Sequence, residues 1–167
     1  MSFFPSRGLF RAVEGGGFVA QGALLTGDVT LGKDVGIWFG CVVRGDDAPI
    51  TIGERTNVQD LTMIHADTGM PNHIGKNVTI GHRCVLHGVR VGDGALIGRG
   101  SVLLGGSVIG EGALVAAGAV VRERFVVPPR TLVAGVPAKV VRELAAEEVA
   151  MFLHSAEDYV KKIRQYL

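Results

Sequence analysis

The chain has few residues with which to staple itself covalently. Its 167 residues include two cysteines, Cys41 and Cys84, which is no disulfide framework and leaves a reducing, cytoplasmic setting as the expectation. An excess of charge is also missing. Seventeen Lys+Arg face 16 Asp+Glu, for a net charge of +1, so nothing electrostatic draws the chain to nucleic acid or to an acidic membrane surface. Long apolar runs are absent too. Stretches such as Ala113 to Ala117 fall far short of a membrane-spanning helix. The opening MSFFPSRGLF has no basic region leading into a long apolar stretch, so no signal peptide is expected.

What is present points to a folded domain. Apolar residues are 47% and charged residues 20%, enough for a core and contrary to disorder. Glycine is the abnormal component, with 25 in the chain, and glycine at that level without disorder suggests an internal repeat. Residues 91–120 divide into sixes: VGDGAL, IGRGSV, LLGGSV, IGEGAL, VAAGAV. The leading position is aliphatic from Val91 through Ile97, Leu103, Ile109, Val115, Val121 and Val127 to Val133. The fifth position is small, and glycine often fills the second. The same period runs earlier from Val19 to Leu86, with both cysteines on the small fifth position, where buried filler is the expected role.

A six-residue period fits neither a helix nor a hairpin meander. It fits short strands and tight corners winding a parallel β-helix, with the aliphatic residue inside. Hexads of this form resemble the left-handed parallel β-helix, a triangular prism with three hexads per coil. The predicted fold class is therefore an all-β solenoid of hexapeptide repeats with a C-terminal α-helix packed on it. The expected division is an N-terminal segment at 1–18, the β-helix at 19–138, and the helix at 139–167. Val149, Phe152, Ala156, Tyr159, Ile163 and Tyr166 recur three or four apart, giving an apolar stripe that should lie on a prism face. Three interruptions break the period: three extra residues within RGDDAPIT, four extra within HADTGMPNH, and one missing between Leu86 and Val91. Insertions in a solenoid are expected as loops on one face, often the functional one.

Threading hexads onto three faces gives a register. Face one takes Val19, Ile37, Val58, Ile80, Ile97, Val115 and Val133. Face two takes Leu25, Val43, Ile64, Leu86, Leu103 and Val121. Face three takes Leu31, Ile52, Ile74, Val91, Ile109 and Val127. Residues after the core position point outward, so face two presents Arg44, His65 and His87 on consecutive rungs about 4.8 Å apart. On face one, Asp60 and His82 stack beside Gln59. The two sets lie at different edges and meet only if a second prism packs alongside, which a threefold arrangement closes. Three neutral imidazoles with an open position form the pattern of a catalytic zinc site. His73 and His154 fall outside the register and are expected at the surface.

RGDDAPITIGERTNVQD, the His65 loop, IGHRCVLHG, AGVPAKVVREL and the terminal SAEDYVKKIRQY resemble the γ-class carbonic anhydrase-like proteins over essentially the whole chain. The resemblance implies a homotrimer with metal sites between subunits. Its ligands would be His65 and His87 of one chain and His82 of its neighbour. It implies an ion pair of Arg44 and Asp46 across the interface, site polar residues Asn57, Gln59 and Asp60, and Tyr159 placed by the site from the helix. The prototype's proton-relaying glutamates after the first histidine have no counterpart in this short loop beyond Asp67, and the other relay glutamate is matched by Asp47. The implied chemistry is attack of a metal-bound hydroxide on carbon dioxide to give bicarbonate. Zinc is the expected cofactor, and iron(II) or cobalt(II) suits the same ligands. Two rivals use the same fold. One is an acyltransferase or thioesterase acting on a CoA thioester, with a single histidine as base. The other is a non-catalytic, metal-stabilised trimeric scaffold.

Overall fold

A computed structural model describes residues 7–167; of the N-terminal 1–18 segment, residues 1–6 lie outside the described residues. The hexad register places all three faces. Val19, Ile37, Val58, Ile80, Ile97, Val115 and Val133 pair through successive parallel rungs. The series Leu25 to Val121 and Leu31 to Val127 do the same on the other two faces. Every one of these aliphatic residues except Leu25 is buried, and each contributes roughly 1.5–3 kcal/mol relative to exposure. Cys41 and Cys84 are free and fully buried among them. Burial raises both thiols, Cys41 to about 11, so both remain protonated filler.

The corners explain the glycine content. The fourth position of most hexads turns through positive φ, between +61° and +73° at Gly94, Gly100, Gly106, Gly112 and Gly118, and between +50° and +63° at Asp34, Arg55, Leu61, Asn77, Arg83, Arg124 and Arg130. Glycine occupies that region without a Cβ clash.

Two features differ from the expectation. The insertion in RGDDAPIT is not a separate loop. The strand Val42–Ile52 runs unbroken round the corner from face two to face three, pairs with Leu24–Leu31, and shifts register near Asp28 to absorb the extra residues. The C-terminal segment is also not all helix. Lys139–Glu143 forms an antiparallel strand on Thr131–Ala134, and helix α1 spans Ala146–Ile163. Phe10–Ala12 pairs antiparallel with Phe18–Ala20 at the other end, so both ends of the face-one ladder are covered.

Helix α1 lies on face one and buries Phe152, Ala156 and Ile163. Its Tyr159 meets Trp38 edge-on at 5.1 Å, next to Phe10. Ala145 has no side chain to cap the helix. Glu148 instead accepts the Ala145 N–H at 2.9 Å and pairs bidentately with Arg142. Among the described residues no helix is long and apolar enough to cross a membrane.

Candidate metal centre

The predicted site residues divide between two faces of one chain. Face two carries Arg44, Asp46, His65 and His87. Arg44 pairs with His65, and His65 with His87, on consecutive rungs. His65 Nδ1 and His87 Nε2 are 3.0 Å apart. Two ligands at about 2.05 Å from one tetrahedral zinc stand roughly 3.3 Å apart, so the pair is close to chelating distance. The corner bulge brings Asp46 and Asp47 beside it, each 3.3 Å from His65 Nε2, and Asp67 lies 3.4 Å from His87 Nε2. His65 Nε2 is buried with no hydrogen bond. His65 thus joins two donor groups that suit a divalent cation, one with His87 and Asp67 and one with Asp46 and Asp47.

Within one chain Arg44 and Asp46 pair with each other at 2.6 Å. They are two apart on one extended strand, and that spacing puts both side chains on one side. Partial desolvation pushes the Asp46 carboxyl up, but the hydrogen bond and charge of Arg44, a backbone hydrogen bond and His65 together outweigh it and hold the group below its ordinary range.

Face one carries Asn57, Gln59, Asp60 and His82, with Tyr159 brought over them by α1. Asp60 Oδ2 lies 2.8 Å from His82 Nδ1, a contact that orients the ring and leaves Nε2 free. Gln59 donates to Asn57 Oδ1 at 3.1 Å, and Asn57 donates to Thr79 Oγ1 at 3.0 Å. Gln59 Oε1 is buried without a partner. Burial, then the Asp60 carboxylate, raises the Tyr159 phenol, against Arg99, so Tyr159 stays a neutral donor. A groove of about 490 Å³ between α1 and face one is lined by Gln59, Tyr159, Arg99 and Lys162. Sequence reasoning missed Arg99, although it continues the Asp60–His82 column one rung on. His82 belongs to neither cluster of ligand atoms within 4.8 Å of one another. His73 and His154 are exposed, as expected.

Known proteins place this arrangement. The family described as bacterial transferase hexapeptide (six repeats) matches residues 73–105 and 88–123. A protein named "Probable carbonic anhydrase" from Methanocaldococcus jannaschii is 50% identical over 143 residues, covering 86% of this chain and 90% of that one. The mitochondrial gamma carbonic anhydrase 2 of Arabidopsis thaliana is 44% identical over 149 residues, 86% of this chain and 54% of that longer protein. A crystal structure of a hexapeptide transferase family protein from Anaplasma phagocytophilum superposes with a TM-score of 0.89 at 41% identity, over 93% of this chain and 92% of that one. The six-residue repeat and its register agree with these likenesses, and the chain belongs to the γ-carbonic-anhydrase-like family of hexapeptide-repeat enzymes.

Proposed function

We propose that the protein is a metal-dependent carbonic anhydrase that interconverts carbon dioxide and bicarbonate as a homotrimer. Each site would combine His65 and His87 of one subunit with His82 of the partner subunit. The observation that carries this reading is the division of one chain into two half-sites. Two imidazoles touch on face two, and a third, anchored by a carboxylate, stands on face one. Three prisms about a threefold axis would set face one of each against face two of the next, with no half-site left over. Zinc suits three neutral imidazoles with an open position, and iron(II) or cobalt(II) shares that preference. When bound, such a cation would lower the pKa of a water ligand to about 7.

The chain's own residues then have defined tasks. Asp60 sets the His82 tautomer. Asn57 fixes the Gln59 amide, whose free Oε1 accepts a hydrogen bond from a hydroxyl of water or bicarbonate. Tyr159 supplies a donor beside it. Asp47 and Asp67 flank the paired imidazoles and take protons toward solvent. Arg44 and Asp46 have a structural task at the subunit boundary. Acyl transfer would need one histidine as base, and it leaves the His65–His87 contact without a role.

Sedimentation should give three times 17.5 kDa with one zinc per chain; a monomer sinks the proposal. His65→Ala and His82→Ala should each abolish zinc binding. Mixed heterotrimers of the two should recover a fraction of the sites, and verified mixing without recovery would place all ligands in one chain.

A further inference from the structure

The insertion after Ile64 and the missing residue after Leu86 fall on adjacent coils at the same corner, just past the two histidines. Regular rungs cannot register there, because one coil is longer and the next shorter. A single buried side chain spans the gap. Asn72 Nδ2 donates to the His65 carbonyl at 2.6 Å, and the Val89 N–H donates to Asn72 Oδ1 at 2.8 Å. Asn72 is fully buried. The His65 carbonyl also accepts the Gly88 N–H at 3.0 Å. One amide therefore holds the backbone of His65 and the turn that follows His87.

We infer that Asn72 is the positioning residue that sets the His65–His87 spacing; this role rests on the metal site proposed above. Along a regular face, backbone rungs hold successive side chains about 4.8 Å apart. The two ring nitrogens approach to 3.0 Å on the last paired rung before the coils fall out of register, so the backbone just past both histidines is held by something other than the ladder. The amide is the side-chain group that bonds to both segments. Ligand sites tolerate about 0.5 Å of looseness before performance falls. Removing groups that hold metal ligands commonly costs about 10–100-fold in affinity.

The fold contains a matched control. Thr56 Oγ1 donates to the Gly75 carbonyl at 2.8 Å and accepts the Val78 N–H at 3.0 Å. It is the same coil-bridging device at a corner without histidines. Zinc affinity would be measured by competition with a chromophoric chelator for wild type, Asn72→Ala, Asn72→Ser and Thr56→Ala. The cobalt(II)-loaded visible spectrum gives a second readout, and trimer mass and melting certify folding. Asn72→Ala should lose roughly 10-fold or more in zinc affinity and alter the cobalt spectrum. Thr56→Ala should lower the melting temperature and leave both site readouts unchanged. If Asn72→Ala does not assemble, Asn72→Ser, which keeps one hydroxyl in place of the amide, carries the comparison with the same expected direction. Unchanged zinc affinity and spectrum in the folded Asn72 variant overturn the role, and so does an equal loss in Thr56→Ala. A wild-type trimer that binds no zinc overturns the metal site itself.

Discussion

Replacing Asp60 tests how the half-site on face one is organised. Its carboxylate meets His82 Nδ1 at 2.8 Å, with both side chains about a third exposed, 32% and 36%. Asp60→Asn keeps an oxygen that can accept from Nδ1–H but removes the charge. Hydrogen bonds to charged groups contribute about 1.5–3 kcal/mol and neutral ones about 0.5–1.5. The difference is about 1 kcal/mol, and solvent screening at this exposure lowers it further. Since 1.4 kcal/mol is tenfold, Asp60→Asn should weaken zinc binding by about two- to fivefold. Asp60→Ala removes the bond entirely and frees the ring to rotate and change tautomer. Its loss should reach about 10–100-fold. Chelator competition on purified trimers reads both values. Equal affinities in wild type and both variants would refute the idea that Asp60 orients a ligand. Equal, large losses in both would show that charge, rather than ring orientation, is what His82 requires.

Carbon dioxide hydration by the zinc-loaded trimer should rise with the concentration of an imidazole-type buffer in a stopped-flow assay, because the segment after His65 holds a single carboxylate, Asp67, and proton transfer to solvent through it and Asp47 should be slow enough for buffer to assist; a fast rate indifferent to buffer would show that they suffice. Leu86→Ala empties a fully buried place between Ile64 and Leu103 and should cost about 2–5 kcal/mol in urea unfolding, whereas a loss under about 1 kcal/mol would mean that the prism interior collapses to fill the gap. The Arg142 hydrogen bonds and the Ala145 N–H lower the Glu148 carboxyl from 4.5 to about 2, so its contribution to stability is present above pH 4.5 and is lost as pH falls from there toward 2. Glu148→Gln should flatten the melting temperature over that window, and an unchanged acid slope would count against the Arg142–Glu148 pair.

The register was legible because it rests on one strong physical signal. Each coil must bury an aliphatic residue on each face, so a sixfold period fixes which side chains share a column. That alone brings His65 onto His87 and Asp60 onto His82. The strand Lys139–Glu143 was not legible, because all five of its residues are exposed. It forms by pairing an edge through backbone groups, which leaves no burial pattern in the sequence. The Arg44–Asp46 contact within the chain was readable from its spacing alone, because residues two apart on a strand share a side. Asn72 carries no period and sits in an inserted segment, where polar residues are ordinarily solvated. The available signal was the coincidence of an insertion and a deletion at one corner, because mismatched coils leave backbone groups that some side chain must satisfy.

The same geometry explains why a solenoid of this kind would divide its metal site between chains. One outward column offers one side chain per rung. Ligands on adjacent rungs can converge, and His65 and His87 do so to 3.0 Å. A third ligand in that column would stand two rungs from His65, about 9.6 Å away along the face, too far to share a cation at about 2 Å. The residue in that place, Leu104, follows the core position Leu103 and offers no donor. The neighbouring face cannot help within the same prism, because a corner directs its side chains away. In the proposed site a third imidazole would therefore come from another prism, and it would need an anchor of its own because no rung aligns it with the first two. The Asp60 carboxylate on His82 Nδ1 is such an anchor. In the proposed trimer the ladder would thus supply two adjacent imidazoles, and assembly the third.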